Sequence, residues 1–332
     1  MKSAPIDPAR LFSLTDPAER EALTHALFAF QFAQNPVYRA FCQALDRHPD
    51  TIRGIDDIPF LPIRFFREQQ VVSFKGSPEV IFESSGTTGS IASRHMVYDS
   101  ELYAQSYLEG FRRIYGDPAS WCIMALLPGY LERSSSSLVH MVKGLIDRSG
   151  HPESGFYLDD LQGLSEKLRL LNAEKQAVWL IGVSFALLDL AEYHPQPLPH
   201  TIIIETGGMK GRRRELLRSE LHDRLSSAFS VRDIHSEYGM TELLSQAYAP
   251  FGGYFHCPPW MQVLIRDQHD PFGFLPAGQT GGINVIDLAN IWSCSFIATD
   301  DLGRLRGDGS FEVLGRLDYS QLRGCNLMVS ND

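Results

Sequence analysis

The stretch VWLIGVS, residues 178–184, and the stretch TIIIE, residues 201–205, are two apolar runs of strand length. A third run, Trp121 to Leu127, precedes them and has the composition of a buried strand. A helix over Ser136 to Asp147 is predicted after the run at 121–127. Another, over Arg212 to Phe229, is predicted after the run at 201–205. Strands that alternate with helices of this length predict an α/β fold with a largely parallel sheet.

The amino-terminal part is predicted to be mainly helical. Asp16 can cap a helix and Pro17 suits the first turn. Apolar residues then recur at helical spacing, which predicts one helix over about residues 16–45. The proline-punctuated segment IPFLPI, residues 58–63, follows and is predicted to be extended on the surface of the core.

After Tyr238 the sequence becomes rich in glycine, proline and short strand-like runs, such as Gly282 to Leu288 and Ile291 to Ala298. This composition predicts a smaller β-rich portion. We therefore predict one large domain over residues 1–318, in which about residues 1–78 form a helical amino-terminal segment. A short tail, residues 319–332, follows it.

The composition restricts the class of protein. The chain has 332 residues, a formal net charge of −10 and 44% hydrophobic residues, which is the balance of a folded globular protein. The acidic balance argues against a partner bound through nucleic-acid phosphates. The longest apolar stretch, Ala177 to Leu188, is too short for a membrane span of about 20 residues. Five scattered cysteines favour a reducing cytosol over a disulfide framework.

A loop rich in glycine and hydroxyls follows the short strand predicted over residues 80–82. It has the sequence SSGTTG and comprises Ser84, Ser85, Gly86, Thr87, Thr88 and Gly89. Its glycines allow a tight turn that exposes backbone N–H groups, and its hydroxyls add donors for phosphate oxygens. It matches neither the P-loop nor the dinucleotide motif, so an ordinary turn remains an equal alternative. Arg94 is the next cation.

Further motifs follow the later strands. A glycine pair, Gly207 and Gly208, comes directly after the run at 201–205, where ligands bind in α/β sheets. YGMTE at 238–242 offers an aromatic ring, a hydroxyl and a carboxylate. TDDLGR at 299–304 and GRLD at 315–318 complete the series. Each motif is weak alone, but the five in this order are specific.

This order resembles the adenylate-forming superfamily of acyl-CoA synthetases and peptide-synthetase adenylation domains. The resemblance implies that residues 84–89 hold the ATP phosphates and that Gly207, Gly208 and Tyr238 cover the adenine. It also implies roles for single residues: an α-phosphate contact for Thr241, Mg²⁺ binding for Glu242, the ribose hydroxyls for Asp301, and ribose or phosphate contact for Arg316. The cofactors implied are ATP and Mg²⁺.

Two departures from that superfamily point to a narrower family. Arg94 stands where the phosphate loop is usually followed by a lysine, and only 14 residues follow Asp318, so the carboxyl-terminal lid domain is predicted to be largely absent. The chain resembles the acyl-protein synthetases of the bacterial luminescence fatty-acid reductase system, the LuxE family. The stretches that carry this resemblance are IPFLPIR at 58–64, SRH at 93–95, PGYLERS at 128–134 and ETGGMKGR at 205–212.

The narrower resemblance implies a second chemical step. In that family the activated fatty acid becomes a thioester on a cysteine near the carboxyl end and passes to a reductase partner. Cys325, in the stretch RGCN at 323–326, is the candidate here, and Arg323 would favour its thiolate. From the residues alone, the favoured interpretation of Cys325 is an ordinary cysteine in a short terminal strand. The family resemblance favours acyl carriage instead.

The sequence thus predicts a cytoplasmic ligase that binds ATP, Mg²⁺ and a fatty or other apolar carboxylic acid and that delivers its acyl group to an acyl reductase. One alternative is a ligase that passes the acyl group to coenzyme A or a carrier protein. A second alternative is a non-catalytic nucleotide-binding scaffold.

Overall fold

The computed structural model of the chain describes residues 6–84, 91–127, 135–158, 160–207 and 216–317. The helices of these residues are α1 (Pro8–Phe12), α2 (Pro17–Gln34), α3 (Pro36–Ala44), α4 (Phe65–Glu68), α5 (Ser100–Tyr115), α6 (Ser137–Ser149), α7 (Leu161–Ala173), α8 (Ser184–Tyr193) and α9 (Arg218–Phe229). The strands are β1 (Leu61–Pro62), β2 (Val80–Glu83), β3 (Arg94–Val97), β4 (Cys122–Leu126), β5 (Gly155–Phe156), β6 (Val178–Gly182), β7 (Thr201–Glu205), β8 (His235–Tyr238), β9 (Ala247–Ala249), β10 (Met261–Arg266), β11 (Thr280–Asp287), β12 (Phe296–Leu305) and β13 (Phe311–Arg316).

The larger sheet has the order β5-β4-β6-β7-β8-β9. Its strands run parallel from β5 to β8, and β9 is antiparallel to β8. Every residue of β4 and β6 is buried, as expected for strands covered on both faces. Helix α5 covers one face, where Tyr115 contacts His235, and α9 covers the other, where His222 lies 3.3 Å from Ser236. The α/β class predicted from the apolar runs is confirmed.

The β-rich portion is a second sheet with the order β1-β12-β11-β10, in which β13 also pairs with β12. Strands β10 to β13 pair antiparallel, whereas the short β1 adds parallel to β12. Leu61 is opposite Ile297 in this pairing. Strand β12 therefore lies inside the sheet, where it pairs with β11, β1 and β13.

The amino-terminal helices differ from the single helix predicted over residues 16–45. Asp16 caps α2 as expected, with its carboxylate accepting from Ala18 N–H at 2.9 Å. The chain then leaves the helix at Asn35, whose side chain caps α3 by accepting from two backbone N–H groups. Pro36 occupies the first turn of α3, because it lacks the N–H that continuation of α2 would require. The prediction of one helix is wrong at this point.

Two other segments also correct the sequence analysis. Ile58, Phe60 and Leu61 are buried, so the proline-punctuated segment lies inside the core and not on its surface. The strand predicted from Ile291 begins only at Phe296, because residues 291–295 form a turn. That turn is fixed from a distance, as Gln31 donates to the Asn290 carbonyl and accepts from Ser295 N–H.

Candidate active site

The carboxyl ends of β7 and β8 lie side by side, since Glu205 is opposite Ser236 in the parallel pair. Gly207 follows β7 with a φ of +69°, a backbone conformation that favours glycine. Beside it, the Thr206 hydroxyl is buried and has no hydrogen-bond partner among the described residues. This edge therefore offers a flat backbone surface and an available polar atom, at the position where α/β sheets bind ligands.

Glu205 anchors this edge with a buried carboxylate. One oxygen lies 3.3 Å from Arg218 Nε, and the other accepts from Gly207 N–H at 2.7 Å. Burial alone would raise the pKa of Glu205. A hydrogen bond from His222, the charge of Arg218 and further hydrogen bonds from Ser236 and Gly207 outweigh it and lower the pKa to about 2. Glu205 is thus ionised and ties the glycine turn to helix α9.

Tyr238, Asp301 and Arg316 meet where the two sheets join. The Tyr238 hydroxyl donates to an Asp301 carboxylate oxygen at 3.0 Å. The other Asp301 oxygen lies 3.7 Å from Arg316 Nε, and the two residues are opposite each other in the β12–β13 pair. Asp301 is largely buried, whereas the Arg316 side chain is 83% exposed and extends toward solvent. A carboxylate held at a cleft in this way can accept hydrogen bonds from a sugar diol.

Glu242 lies in the loop after β8 and is almost fully buried, at 4% exposure. Burial raises its pKa, while a hydrogen bond from Ser93 and the charges of Arg67 and Arg316 oppose that rise. Arg67, on α4, also lies near Ser93, with Nε 3.4 Å from the Ser93 hydroxyl. Arg67, Arg316 and Ser93 therefore favour the ionised form of Glu242 against the effect of burial. A bound cation would also favour that form.

The backbone of Thr241 and Glu242 is fixed by two side chains remote in sequence. His95 Nδ1 donates to the Thr241 carbonyl at 2.8 Å, and the Asn290 amide donates to the Glu242 carbonyl at 2.8 Å. These two side chains also contact each other, with His95 Nε2 3.1 Å from Asn290 Oδ1. Burial lowers the pKa of His95 to about 4, so the ring holds this loop as a neutral imidazole near pH 7.

The predicted phosphate loop connects the hairpin of β2 and β3. Ser84 and Ser93 close its base: Ser84 N–H donates to the Ser93 carbonyl at 3.0 Å, and Ser93 N–H donates to the Ser84 hydroxyl at 2.9 Å. Arg94 begins β3 as an exposed side chain opposite Glu83. Ser93 links this base to Glu242, so the loop begins and ends beside the YGMTE motif.

A half-buried carboxyl, Glu237, faces a cluster of tyrosines on the opposite side of β8. Tyr248 is directly across in β9, and Tyr103 and Tyr115 of α5 complete the cluster. Burial, followed by the charge of Glu205, raises the pKa of Glu237 to about 8. The carboxylate also lies close to the backbone of the next turn, since a Cβ at Gly239 would lie 2.4 Å from a Glu237 oxygen.

The structure brings together Ser84, Gly207, Tyr238, Thr241, Glu242, Asp301 and Arg316 at one edge of the molecule. Arg94 lies at the base of the loop, without a described contact to the other predicted residues. Several predicted residues lie outside the described part of the chain: Ser85, Gly86, Thr87, Thr88, Gly89, Gly208 and Cys325.

Sequence analysis missed four residues of the site. Arg67, Ser93, His95 and Asn290 were not assigned roles there, although they surround Glu242 and Thr241. The only available signal was the proximity of Ser93 and His95 to the glycine-rich loop in the stretch SRH. Arg67 and Asn290 come from distant segments, and their positions depend on the tertiary fold.

The donor set fits the implied nucleotide and metal. An aromatic ring, a carboxylate and a glycine turn with an available hydroxyl suit an adenosine. The described residues contain no group of three His, Cys, Asp or Glu side chains that could enclose a metal. Mg²⁺ needs fewer protein ligands, because it is usually held by one or two carboxylates together with substrate phosphates and water. Glu242 can supply that carboxylate.

Solved structures with a similar fold are adenylate-forming enzymes. A 2-hydroxyisobutyryl-CoA ligase in complex with 2-HIB-AMP and CoA has a TM-score of 0.68 and 14% identity, over 93% of this chain and 70% of that one. ATP-bound MatB from Rhodopseudomonas palustris has a TM-score of 0.56 and 17% identity, over 73% of this chain. The matched region spans about half of MatB, 49% of its chain. These likenesses confirm the predicted fold class.

Comparison of sequences gives one relative of nearly the same length. The chain is 24% identical over 342 residues to the long-chain-fatty-acid–luciferin-component ligase of Vibrio harveyi, which covers 94% of this chain and 88% of that protein. No protein-family model matches the chain. The predicted resemblance is confirmed by this relative, whose name agrees with the predicted ligase class. Among the described helices, none has both the length and the apolar character required to cross a membrane.

Proposed function

Because this chain resembles the LuxE family of acyl-protein synthetases within the adenylate-forming superfamily, we propose that it activates a fatty acid with ATP as an acyl-adenylate. The acyl group then moves to the Cys325 thiol and from there to an acyl reductase partner. The relative from Vibrio harveyi, whose name specifies a long-chain fatty acid, supports the substrate class. The cytoplasm remains the proposed compartment.

The observation that carries this proposal is the convergence of Tyr238, Asp301, Arg316 and Glu242. Tyr238 donates to Asp301, Asp301 lies beside Arg316, and the charge of Arg316 also acts on Glu242. Tyr238 and Glu242 belong to the motif at 238–242, whereas Asp301 and Arg316 come from β12 and β13, far from that motif in sequence. A single nucleotide with its sugar, phosphates and metal explains why they lie together.

The first step joins two anions, a carboxylate and the α-phosphate of ATP. A carboxylate oxygen of the acid attacks the α-phosphorus, and the bond to the β-phosphate oxygen breaks to release pyrophosphate. Glu242 would hold Mg²⁺, which supplies neutralisation of phosphate charge when bound, and the loop at residues 84–89 with Thr241 would orient the phosphates. Asp301 would fix the ribose. The buried backbone contacts of His95 and Asn290 keep Thr241 and Glu242 in place as the charges change.

The second step transfers the acyl group to sulfur. The Cys325 thiolate attacks the acyl carbonyl carbon, and AMP leaves with the electrons of the acyl–oxygen bond. The thiol proton passes to solvent when the thiolate forms. Arg323, two residues away, would stabilise that thiolate. The four cysteines in the described residues are Cys42, Cys122, Cys257 and Cys294, and burial raises the pKa of each, which disfavours them as nucleophiles.

ATP–pyrophosphate exchange that depends on a fatty acid tests the first step. We expect Asp301→Ala and Glu242→Ala to lower the exchange rate by at least about 100-fold, because each removes a group that stabilises the transition state. Glu174→Gln, a change at the exposed residue that follows α7, should leave the rate unchanged. Exchange that persists in both site variants would refute the proposed site.

Covalent labelling by radioactive fatty acid tests the second step. Cys325→Ser should keep the exchange reaction and lose the label. The alternative acceptors make the opposite prediction: with coenzyme A or a carrier protein as acceptor, AMP release would accelerate and Cys325→Ser would remain fully active. A protein that binds ATP but releases no pyrophosphate with any acid would be the non-catalytic scaffold.

A further inference from the structure

A groove with a volume of about 750 Å³ lies between the amino-terminal segment and the second sheet. One wall carries apolar residues of the amino-terminal segment, including Phe41, Ile58 and Phe60. The other wall carries Phe274 and Phe272, and the Phe272 side chain is 56% exposed to solvent. An exposed aromatic ring beside an apolar groove is typical of a surface that binds a chain segment.

The groove leads toward the candidate active site. Arg67 lines it and lies within 3.4 Å of Ser93, the residue that hydrogen-bonds to Glu242. Asp300 also lines the groove and is the neighbour in β12 of Asp301, whose side chain contacts Tyr238. A molecule in the groove therefore reaches the surroundings of the proposed adenylate from the side of β12.

The groove also contains the point at which the carboxyl-terminal tail starts. Leu317 lines it, and its N–H donates to the Asp300 carbonyl at 2.7 Å. Residues 318–332 continue from there, 15 residues with apolar side chains at Leu322 and in the stretch LMV at 327–329. Cys325 lies eight positions after Leu317, and that length of extended chain spans at most about 29 Å. Cys325 can therefore reach any part of a groove that begins at Leu317.

We propose that this groove is the docking site of the chain's own carboxyl-terminal tail, residues 318–332, and that docking presents Cys325 to the acyl-adenylate. The inference rests on the proposed function for its purpose, while the docking itself is independent of activity. The tail supplies apolar side chains to the apolar walls, and its starting point at Leu317 makes the binding intramolecular. Tethering of this kind raises the effective concentration of the tail to the millimolar range, so modest contacts suffice.

The charges at the rim suit a segment of mixed charge. Arg47, Arg64 and Arg67 line the groove together with Asp56 and Asp57. The tail carries one basic residue, Arg323, and acidic residues at Asp318 and Asp332. Neither sign dominates in the groove, which would disfavour a strongly charged partner more than this tail.

Disulfide trapping tests the docking without requiring any activity. The variants are F272C in the groove and F251C as the matched control, since Phe251 is 57% exposed and does not line the groove. Under mild oxidation of the full-length chain, we expect the new thiol of F272C to join Cys325 within one chain at least about tenfold faster than that of F251C. The joined peptides are identified by mass spectrometry.

Equal rates in the two variants would overturn the proposal. A disulfide of F272C that forms mainly between two chains would also overturn it, because the groove would then accommodate a second copy. The cross-linking rates do not depend on whether the chain releases pyrophosphate from ATP. A failure of docking is therefore distinguishable from a failure of the proposed function.

A kinetic experiment connects docking to transfer. Phe272→Asp places a charge on the apolar wall at an exposed residue, and it should lower the rate of Cys325 acylation about tenfold while fatty-acid-dependent ATP–pyrophosphate exchange is kept within about twofold. Phe251→Asp should change neither rate. Acylation at the normal rate in Phe272→Asp would show that the groove has no part in presenting Cys325 and would contradict the proposal.

Discussion

Two glutamates in neighbouring strands of the larger sheet differ in charge near pH 7. The buried Glu205 ends β7 with a pKa lowered to about 2, and the half-buried Glu237 lies in β8 with a pKa raised to about 8. Burial raises the pKa of both carboxyls. Among the described residues, only Glu205 has compensating partners, which are the side chains of Arg218 and His222 and the N–H of Gly207.

The difference shows that partners, and not depth of burial, decide which carboxyl carries charge near this site. Glu205 faces helix α9 and the glycine turn, where cations and N–H groups are available. Glu237 faces the tyrosines of α5 and β9, and the negative charge of Glu205 disfavours its ionisation further. Glu205 therefore stays ionised beside the glycine turn, and Glu237 stays neutral near pH 7 beside the tyrosines.

Removing the charge of Glu205 should have the largest effect. We expect Glu205→Gln to lower the free energy of unfolding by about 3 kcal/mol at pH 7, because Arg218 and His222 lose their buried counter-charge. Urea denaturation measures this loss. The exposed control Glu174→Gln should change stability by less than about 0.5 kcal/mol. A loss for Glu205→Gln as small as that of the control would show that the Glu205 carboxylate is not compensated by the groups around it.

The pH dependence of stability should separate Glu205 from the rest of the protein. The folded pKa of Glu205 lies below its ordinary value of 4.5, so the stabilisation is complete above that pH and is lost as the pH falls toward 2. Between pH 5 and pH 2 the native protein should lose about 3 kcal/mol more than Glu205→Gln does. Parallel pH profiles for the two proteins would contradict the lowered pKa.

Glu237 should behave with the opposite sign. Its folded pKa lies above the unfolded value, so the folded state binds the proton more tightly and loses stability as the pH rises from about 4.5 to 8. Glu237→Gln removes that loss and should raise the free energy of unfolding by about 2 kcal/mol at pH 9, less than full burial would give because part of this side chain is exposed. At pH 4 the two proteins should be equally stable within about 0.5 kcal/mol. Equal stability at pH 9 would show that Glu237 ionises without penalty.

A smaller change, at Arg218, should move the pKa of Glu205 upward, toward that of Glu237. Arg218→Lys keeps a charge but loses the guanidinium that contacts Glu205, donates to the Val313 carbonyl and lies 5.0 Å from the Phe255 ring. We expect a loss of about 1 kcal/mol in the free energy of unfolding and a rise in the pKa of Glu205, measured by NMR titration of its carboxyl carbon. An unchanged pKa would mean that His222 and Gly207 alone keep Glu205 ionised.

The parts of the molecule that sequence analysis predicted are those in which one segment determines its own structure. The apolar runs at 121–127, 178–184 and 201–205 became β4, β6 and β7, and Asp16 caps the helix that follows it. The motif at 238–242 was recognisable because Tyr238, Thr241 and Glu242 lie within five residues. Local composition carries these signals without reference to the rest of the chain.

The parts that could not be predicted depend on pairs of distant residues. His95 and Asn290 are 195 residues apart, and their joint hold on the loop after β8 follows from how the sheets meet. The partners of Glu205 belong to α9, and nothing in the sequence indicates which carboxyl they would face. Asn35 and Pro36 are a different case, since the signal for a helix break was present but was outweighed by the helical spacing of apolar residues on both sides.

The parallel pairing of β1 with β12 has a consequence for the order in which the protein forms on the ribosome. Leu61 emerges 236 residues before its partner Ile297, and Gln31 waits still longer for Asn290 and Ser295. Until then, the amino-terminal helices of the nascent polypeptide expose the apolar surfaces that they later bury against this turn. These helices therefore cannot dock fully until residue 297 has been synthesised, and in that interval they are a natural target for chaperones.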